Sequence, residues 1–375
     1  MKIAIDIRNI GKKRTGDEVV FFELVRHLTN IDCDNEYHLL IDNRPEEDII
    51  QIKNRLRIAQ KKNFTIVQVG SGNKFVWNGW MVSQYCRQEK IDIYHTQYIV
   101  PIFMPKFTKI VTHIHDVSFR VYKNLISKKD SFFLNTLIPW SLRRADKIIA
   151  VSQFTKEEII KFYHVPEDKI FVVHNASSMI CNDVNMETIR VKYHLPQKYI
   201  LTLGTMQPRK NIPCVIRAFA QIADKIPDTF LVLAGKKAHN FDETIEKIIA
   251  DKVNIKNRII FTGYIDEEDK CAVYAMADVF VFPSLYEGFG VPILEALCAG
   301  VPVIASNIAP HKEVAGNAVK YFDPKNIDQC ARVLYDVLDN DNIRKTVDTI
   351  ATMQKEKFSW HKSAKDLYMI YQSFL

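Results

Sequence analysis

No stretch of the 375 residues reaches the roughly 18 uninterrupted apolar residues that a membrane-spanning helix needs. The opening Met1-Lys2-Ile3-Ala4-Ile5-Asp6 reads as a short strand, without the long apolar core or cleavage site of a signal peptide. These two absences predict a cytoplasmic chain. The seven cysteines (Cys33, Cys86, Cys181, Cys214, Cys271, Cys298, Cys330) are odd in number, dispersed, and form no C-x-x-C pair. They read as reduced, mostly buried thiols, with no disulfide frame and no zinc site, and no metal is expected. There is no G-x-x-x-x-G-K-[ST] loop, no G-x-S-x-G elbow and no H-E-x-x-H, so ATP hydrolysis, serine hydrolysis and zinc proteolysis lack support. GSGNKF (70–75) has the first two glycines of a dinucleotide fingerprint but Phe75 in place of the third, which leaves hydride transfer without a motif. No basic run interleaves with aromatics as in a nucleic-acid module, so no nucleic-acid partner is expected.

What is present is a globular composition, 47% apolar and 25% charged, in a chain long enough for two domains. The net charge of +7 is unevenly placed: residues 1–178 hold 27 Lys+Arg against 20 Asp+Glu, and the remainder 24 against 24. Two readings stand, a solvated lysine-rich surface or a first half that faces something anionic, a phospholipid surface or a pyrophosphate-bearing acceptor. Short β-branched runs alternate with amphipathic stretches. The first series is 2–8, 37–42, 64–70, 91–96, 109–116, 147–152 and 170–175; the second is 199–205, 230–235, 259–265, 279–284, 301–306 and 318–322. Alternation of this kind predicts α/β units built on parallel sheets covered on both faces. Residues 176–198 break the pattern and read as a linker plus the approach to a new sheet. The expected division is 1–178, 179–357 and a terminal amphipathic helix over 358–375, with Leu367, Ile370, Tyr371 and Phe374 at helical spacing.

Three segments carry candidate chemistry. In YILTLGTMQPRKNIPCVIR (199–217) a strand ends at Gly204, and Arg209 and Lys210 precede Asn211, a candidate helix cap with Pro213 in the first turn. Two cations beside free helix-terminal N–H groups suit a diphosphate, though an Arg-Lys pair before a helix is also ordinary surface chemistry. In FPSLYEGFGVPILEALCAGVPVIAS (282–306), Gly288 and Gly290 bracket Phe289 just before Val291, so backbone amides can approach a ligand closely. Glu287 lies in that loop and Glu295 eight positions later on the helix. Carboxylates accept well from sugar or ribose hydroxyls, and compensation of a helix terminus would explain one of them but not the whole E-G-F-G-V-P-x-x-E pattern. In VTHIHDVSF (111–119), His115 and Asp116 sit at a strand's carboxyl end, where ligands of open α/β sheets bind; a structural histidine is the alternative. Gly16, after the first strand, is a further point of close backbone approach.

These segments, in this order, resemble the retaining GT-B-fold glycosyltransferases of family 4, the "group 1" transferases. The resemblance runs nearly end to end, through MKIAIDIR, Thr15-Gly16, HIHD, ADKIIAVSQFTKEEI, LGT…RKN, LAGKK, FTGYI, the Glu287-x7-Glu295 element, EVAG (313–316) and the closing FSW helix. It implies two Rossmann-like domains with parallel sheets facing across a cleft, an acceptor-binding first domain, a donor-binding second domain and a C-terminal helix crossing back to the first. By matching position, Arg209 and Lys210 would bind the donor diphosphate, Glu295 the ribose, and Glu287 with the amides of Phe289 to Val291 the sugar. His115 would contact the donor sugar near the reacting carbon. Gly235, Lys236, Tyr264 and Ile265 would border the nucleotide. The implied reaction is metal-free glycosyl transfer with retention, from a GDP- or UDP-linked sugar to a saccharide or lipid-linked acceptor; the surroundings look most like the subgroup using GDP-mannose. Asp17 and Glu18 depart from the small residues usual after Gly16, and carboxylates there would repel a diphosphate, so this loop is expected to meet acceptor hydroxyls. Asn175-Ala176 replaces the usual Asn-Gly. The alternatives are a nucleotide-sugar epimerase of similar fold and a silent sugar-nucleotide-binding subunit. Arg120, Lys123, Lys128, Lys129, Arg143, Arg144 and Lys147, around the apolar 132–140, predict peripheral contact with anionic membrane through 120–147.

Overall fold

The computed structural model describes all residues except 13–15, 71–72, 123–127, 182–184, 238–240, 253, 341–353 and 355, and for Lys74 and 128–133 the backbone alone. Thr15, Lys123 and the side chains of Lys128 and Lys129, named above, therefore lie outside the described residues. The chain divides into two compact units. Unit 1 comprises Met1–Val121, Ser127–Asn175 and Ser359–Leu375; unit 2 comprises Tyr122–Ile126 and Ala176–Phe358.

Unit 1 is built on seven strands: β1 (Lys2–Asp6), β2 (Glu36–Ile41), β3 (Phe64–Gln68), β4 (Ile93–Gln97), β5 (Lys109–Ile114), β6 (Lys147–Ala150) and β7 (Ile170–Val172). All pairings are parallel, in the order β3-β2-β1-β4-β5-β6-β7. Ile3, Tyr37, Leu39, Ile93, Tyr94 and Val111 are completely buried, as expected where helices cover both faces of a parallel sheet. The Gln153–Tyr163 helix starts where Ser152 accepts the Thr155 amide, a side-chain cap that satisfies one free N–H. The Trp360–Gln372 helix packs on the Gly16–Leu28 helix and buries Trp360, Leu367 and Tyr371. Ser363 fixes its start by donating to the His174 carbonyl, 2.6 Å.

Unit 2 repeats the architecture with six strands: β8 (Tyr199–Leu203), β9 (Phe230–Ala234), β10 (Ile259–Gly263), β11 (Val279–Phe282), β12 (Val303–Ser306) and β13 (Lys320–Phe322). Their parallel order is β10-β9-β8-β11-β12-β13. The Ile212–Ile222 helix is apolar along one side and buries Val215, Ile216 and Phe219 in the core of this sheet; each such side chain contributes about 1.5–3 kcal/mol. Both sheets reverse strand order at the first strand of the unit, between β1 and β4 and between β8 and β11. Beyond the carboxyl ends at such a reversal, neighbouring loops diverge to opposite faces and open a crevice. The fold is GT-B, with two Rossmann-like parallel sheets.

Two sequence expectations are corrected here. The stretch 176–198 is not only linker: Met186–Lys192 is a helix, started by Asn185, which accepts the Glu187 and Thr188 amides. Cys181 and Cys271 form a disulfide with their Cα atoms 5.3 Å apart, and Cys33 is exposed. The dispersed cysteines are thus not all reduced, buried thiols; a contact spanning 90 residues leaves no spacing signature.

Candidate functional site

The reversal between β8 and β11 brings two loops of unit 2 together. Leu285 donates its amide to the Arg209 carbonyl at 2.8 Å, and Asn211 donates to the carbonyls of Pro283 and Pro324 at 3.1 and 2.9 Å. Asn211 therefore stands at the head of the Ile212–Ile222 helix in a left-handed conformation, φ 54°. Its side chain ties loops together instead of capping, contrary to the expectation for it. Pro213 does sit in the first turn.

Within that stitched corner Arg209 lies 3.1 Å from Glu287, and Lys210 bonds to the other carboxylate oxygen. Arg209 also donates to the Tyr286 carbonyl, 3.3 Å, and Lys210 lies over the Phe282 ring. Burial alone would raise the Glu287 carboxyl, but Lys210 and then Arg209 outweigh it and hold the group down at about 2. The triad is a fixed pair of cations on one carboxylate, with a net charge of +1. Gly288, Phe289 and Gly290 are buried beside it, Gly290 at φ 123°, and Val291 opens the Val291–Cys298 helix half-buried. Only glycine takes such a φ without strain.

Glu295 belongs to a separate cluster. Its carboxylate accepts from the Tyr274 hydroxyl at 3.0 Å and lies 3.5 Å from Lys270. Burial would lower the Lys270 ammonium, and Glu295 with Glu267 holds it up. Along the carboxyl edge of β8, β9 and β10, Gly204 donates to the Ala234 carbonyl and Gly235 to that of Gly263. Gly204 and Gly235 have φ 148° and 135°, and a Cβ on Gly235 would stand 2.0 Å from the Gly204 oxygen. Lys236 lies over the exposed Tyr264 ring at 4.5 Å, with Ile265 buried.

His311 is a neighbour that the sequence reading missed. It is wholly buried, donates through Nδ1 to the Ser306 carbonyl at 3.0 Å, and packs on Phe282. Burial pushes its imidazole down to about 4, with Glu287 pulling the other way. Lys270 and Tyr274 were missed too, because neither falls in a glycine loop or at a strand end.

In unit 1, Gly16, Asp17 and Glu18 form the first turn of the Gly16–Leu28 helix rather than a free loop. Carboxylates are favoured there by the helix dipole, which accounts for two acids where small residues were expected. Glu18 is 3% exposed and accepts the Gly11 amide at 2.9 Å. Asp17 lies 3.9 Å from His115, and its carbonyl accepts from Gln97. Asp116 accepts the amide and hydroxyl of Ser118 at 2.9 and 2.7 Å, heading a short helical turn. His115 ends a ring stack in which His113 is 4.8 Å and His95 a further 5.8 Å away; His95 in turn meets the Tyr371 hydroxyl at 2.6 Å.

The basic region 120–147 is only partly described. There Arg120 bonds to Asn135, and Lys147 to the Ile370 carbonyl. Among the described residues no helix is long and apolar enough to cross a membrane, and none group as three or more metal-ligating side chains.

Two family models match the chain, Glycosyltransferase Family 4 over residues 14–177 and Glycosyl transferases group 1 over residues 185–353. The O-antigen chain mannosyltransferase B of Escherichia coli is 31% identical over 280 residues, covering 73% of this chain and 72% of that protein. The serotype-specific mannosyltransferase WbdA of Escherichia coli is 32% identical over 244 residues, 62% of this chain but 29% of WbdA. This chain thus matches less than a third of that relative's length. A glycosyltransferase from Rickettsia africae superposes with TM-score 0.74 at 20% identity, covering 99% of this chain and 98% of that one. Anabaena Alr3699/HepE, in complex with UDP and glucose, gives 0.74 at 15% identity over both full chains.

Proposed function

Since the chain belongs to the family 4, group 1 glycosyltransferases, we propose that it is a retaining, metal-independent transferase that moves mannose from GDP-mannose to a saccharide on a lipid carrier, in cell-surface polysaccharide synthesis. The observation that carries this reading is the Arg209–Lys210–Glu287 triad at the strand-order reversal of unit 2, beside a helix opened by Gly290. The names of the two Escherichia coli relatives support mannose and the polysaccharide setting.

In this reading the two cations neutralise the departing diphosphate, the task a divalent ion performs elsewhere. The Glu287 carboxylate has about four lone-pair directions, so it orients both cations and still accepts from sugar hydroxyls. Glu295, steadied by Tyr274 and Lys270, takes the ribose. His115, braced by His113, meets the donor sugar, and Asp17 the acceptor. Retention follows if the acceptor attacks the face that the diphosphate leaves, its proton passing to the departing phosphate. The roles of Gly16, Gly204, Gly235, Lys236, Tyr264 and Ile265 are those of close backbone approach and nucleotide border. Asp116 and Glu18, both bonded internally, are left out of the acceptor contacts.

The test is a thermal-shift screen against GDP-, UDP- and ADP-sugars. GDP-mannose at 100 times its Kd should stabilise the protein by about 2.7 kcal/mol, unaffected by EDTA. Arg209→Ala should abolish the shift and lower kcat/KM by about 100- to 1000-fold. An unchanged rate in Arg209→Ala would sink the reading, and donor turnover without acceptor would point to an epimerase.

A further inference from the structure

His311 carries a polar atom that the fold leaves unused. The residue opens the Ala309–Ala315 helix, wholly buried, with Nδ1 3.0 Å from the Ser306 carbonyl. A carbonyl can only accept, so Nδ1 bears the proton. Burial keeps the ring neutral at ordinary pH, and the other nitrogen, Nε2, is left with a bare lone pair. Nε2 is buried and has no hydrogen-bond partner among the described residues. A leucine would fill similar space without an unpaired nitrogen, and native folds seldom leave a buried polar atom so. The Ser306 bond accounts for Nδ1 and gives Nε2 no task.

The neighbours of that ring edge are known. Cδ2, bonded to Nε2, is the atom nearest to where a Cβ on Gly290 would stand, 3.4 Å away. The imidazole packs on Phe282 with 4.9 Å between centroids, and Lys210 lies over the same phenyl ring at 5.2 Å. Glu287 and Lys210 are the charged groups that act on the imidazole. Nε2 therefore borders the corner in which Glu287 and the Phe289–Val291 amides would hold the donor sugar.

We propose that His311 is a specificity-determining residue whose Nε2 accepts a hydrogen bond from one hydroxyl of the donor sugar. This rests on the transferase reading above. The lone pair sets the chemistry of the ligand. A diphosphate oxygen at neutral pH has no proton to give and is repelled, whereas a hydroxyl donates. Arg209 and Lys210 thus serve the diphosphate, and the two acceptors, Glu287 and His311, serve hydroxyls. Nε2 faces no solvent, so the hydroxyl reaches it as the Gly290 turn shifts around the donor.

Three substitutions separate the two nitrogens. His311→Leu keeps the volume and removes both, His311→Asn keeps a donor near Nδ1, and His311→Gln places an amide oxygen near Nε2. Each is assayed with GDP-mannose, with GDP alone, and with GDP-linked mannoses that each lack one hydroxyl; the same arms apply to whichever nucleotide-sugar the wild type accepts. GDP has no sugar, so its thermal shift should persist in every variant, which also shows that each is folded. With GDP-mannose, His311→Leu and His311→Asn should lower kcat/KM about tenfold, and His311→Gln should recover most of that loss. In the wild type one deoxy donor should lose about the same factor. His311→Leu should use that donor as well as it uses GDP-mannose, because both partners of a single bond are then missing. The proposal is overturned if His311→Leu leaves kcat/KM unchanged, or if its loss multiplies with that of every deoxy donor. It is equally overturned if Asn restores what Gln does not, or if the variants lose the GDP shift as well, which marks a structural role. Any of these results alongside normal wild-type turnover removes the proposal alone. A wild type inert toward every nucleotide-sugar removes the transferase reading and the proposal with it.

Discussion

Glu287 is a carboxylate held by two cations in a buried corner, and its protonation is coupled to folding. Its pKa in the folded chain, about 2, lies below the ordinary 4.5. Its contribution to stability is therefore complete above about pH 4.5 and is lost as the pH falls toward 2. The buried histidines act at higher pH. Burial lowers His95 to about 3 and His311 to about 4, from 6.5. Because the unfolded chain takes up protons first, their share declines from about pH 6.5 downward. Acid unfolding should thus show two limbs, and Glu287→Gln should shrink the lower one, which Asp32 and Asp42 share because their carboxyls are also held down, and leave the upper one, as read by denaturant titrations from pH 7 to 2. Glu287→Ala should cost about 3 kcal/mol at neutral pH, because it removes the buried carboxylate that both cations share. Equal stability of the alanine variant and the wild type would show that the triad is not coupled to folding.

At the level of elements, the carboxyl edge of the second sheet depends on close approach of backbone to backbone. Gly235 has φ 135°, and a Cβ there would meet the Gly204 carbonyl at 2.0 Å. Gly263, with φ 72°, has open space around it. Gly235→Ala should therefore destabilise by about 3 kcal/mol and weaken donor binding, whereas Gly263→Ala should cost only about 1–2 kcal/mol. Chemical denaturation separates the two, and equal costs would refute the steric argument. The elements themselves were readable in the sequence, since all thirteen β-branched runs became strands. Most ended a residue or more early. VFVFPS, for instance, keeps Pro283 and Ser284 buried after its ladder stops at Phe282, so apolar pattern outlasts hydrogen bonding. Site composition was legible where glycines and cations cluster locally. What could not be read were pairings set by sheet order, such as Glu287 with Arg209 and Lys210, and burial set by packing, as at His311.

For the whole molecule, the Cys181–Cys271 bond fastens the start of unit 2 to the Lys270–Ala275 helix across 90 residues. Closing so long a loop restricts the unfolded chain, and its loss should cost about 2–4 kcal/mol. Cys181→Ser should lower the melting temperature, and reductant should lower that of the wild type to match; a melt indifferent to both would show the bond to be dispensable. The Ser359–Leu375 segment imposes a different constraint. It belongs to unit 1, yet all of Ala176–Phe358 precedes it. At about 5–20 residues per second of synthesis, the ribosome needs on the order of ten to forty seconds to make that intervening stretch. Throughout that delay the Gly16–Leu28 helix lacks its cover, and the His95 ring lacks its tyrosine. Of the two units, the one begun first is completed only after all of Ala176–Phe358 has been made.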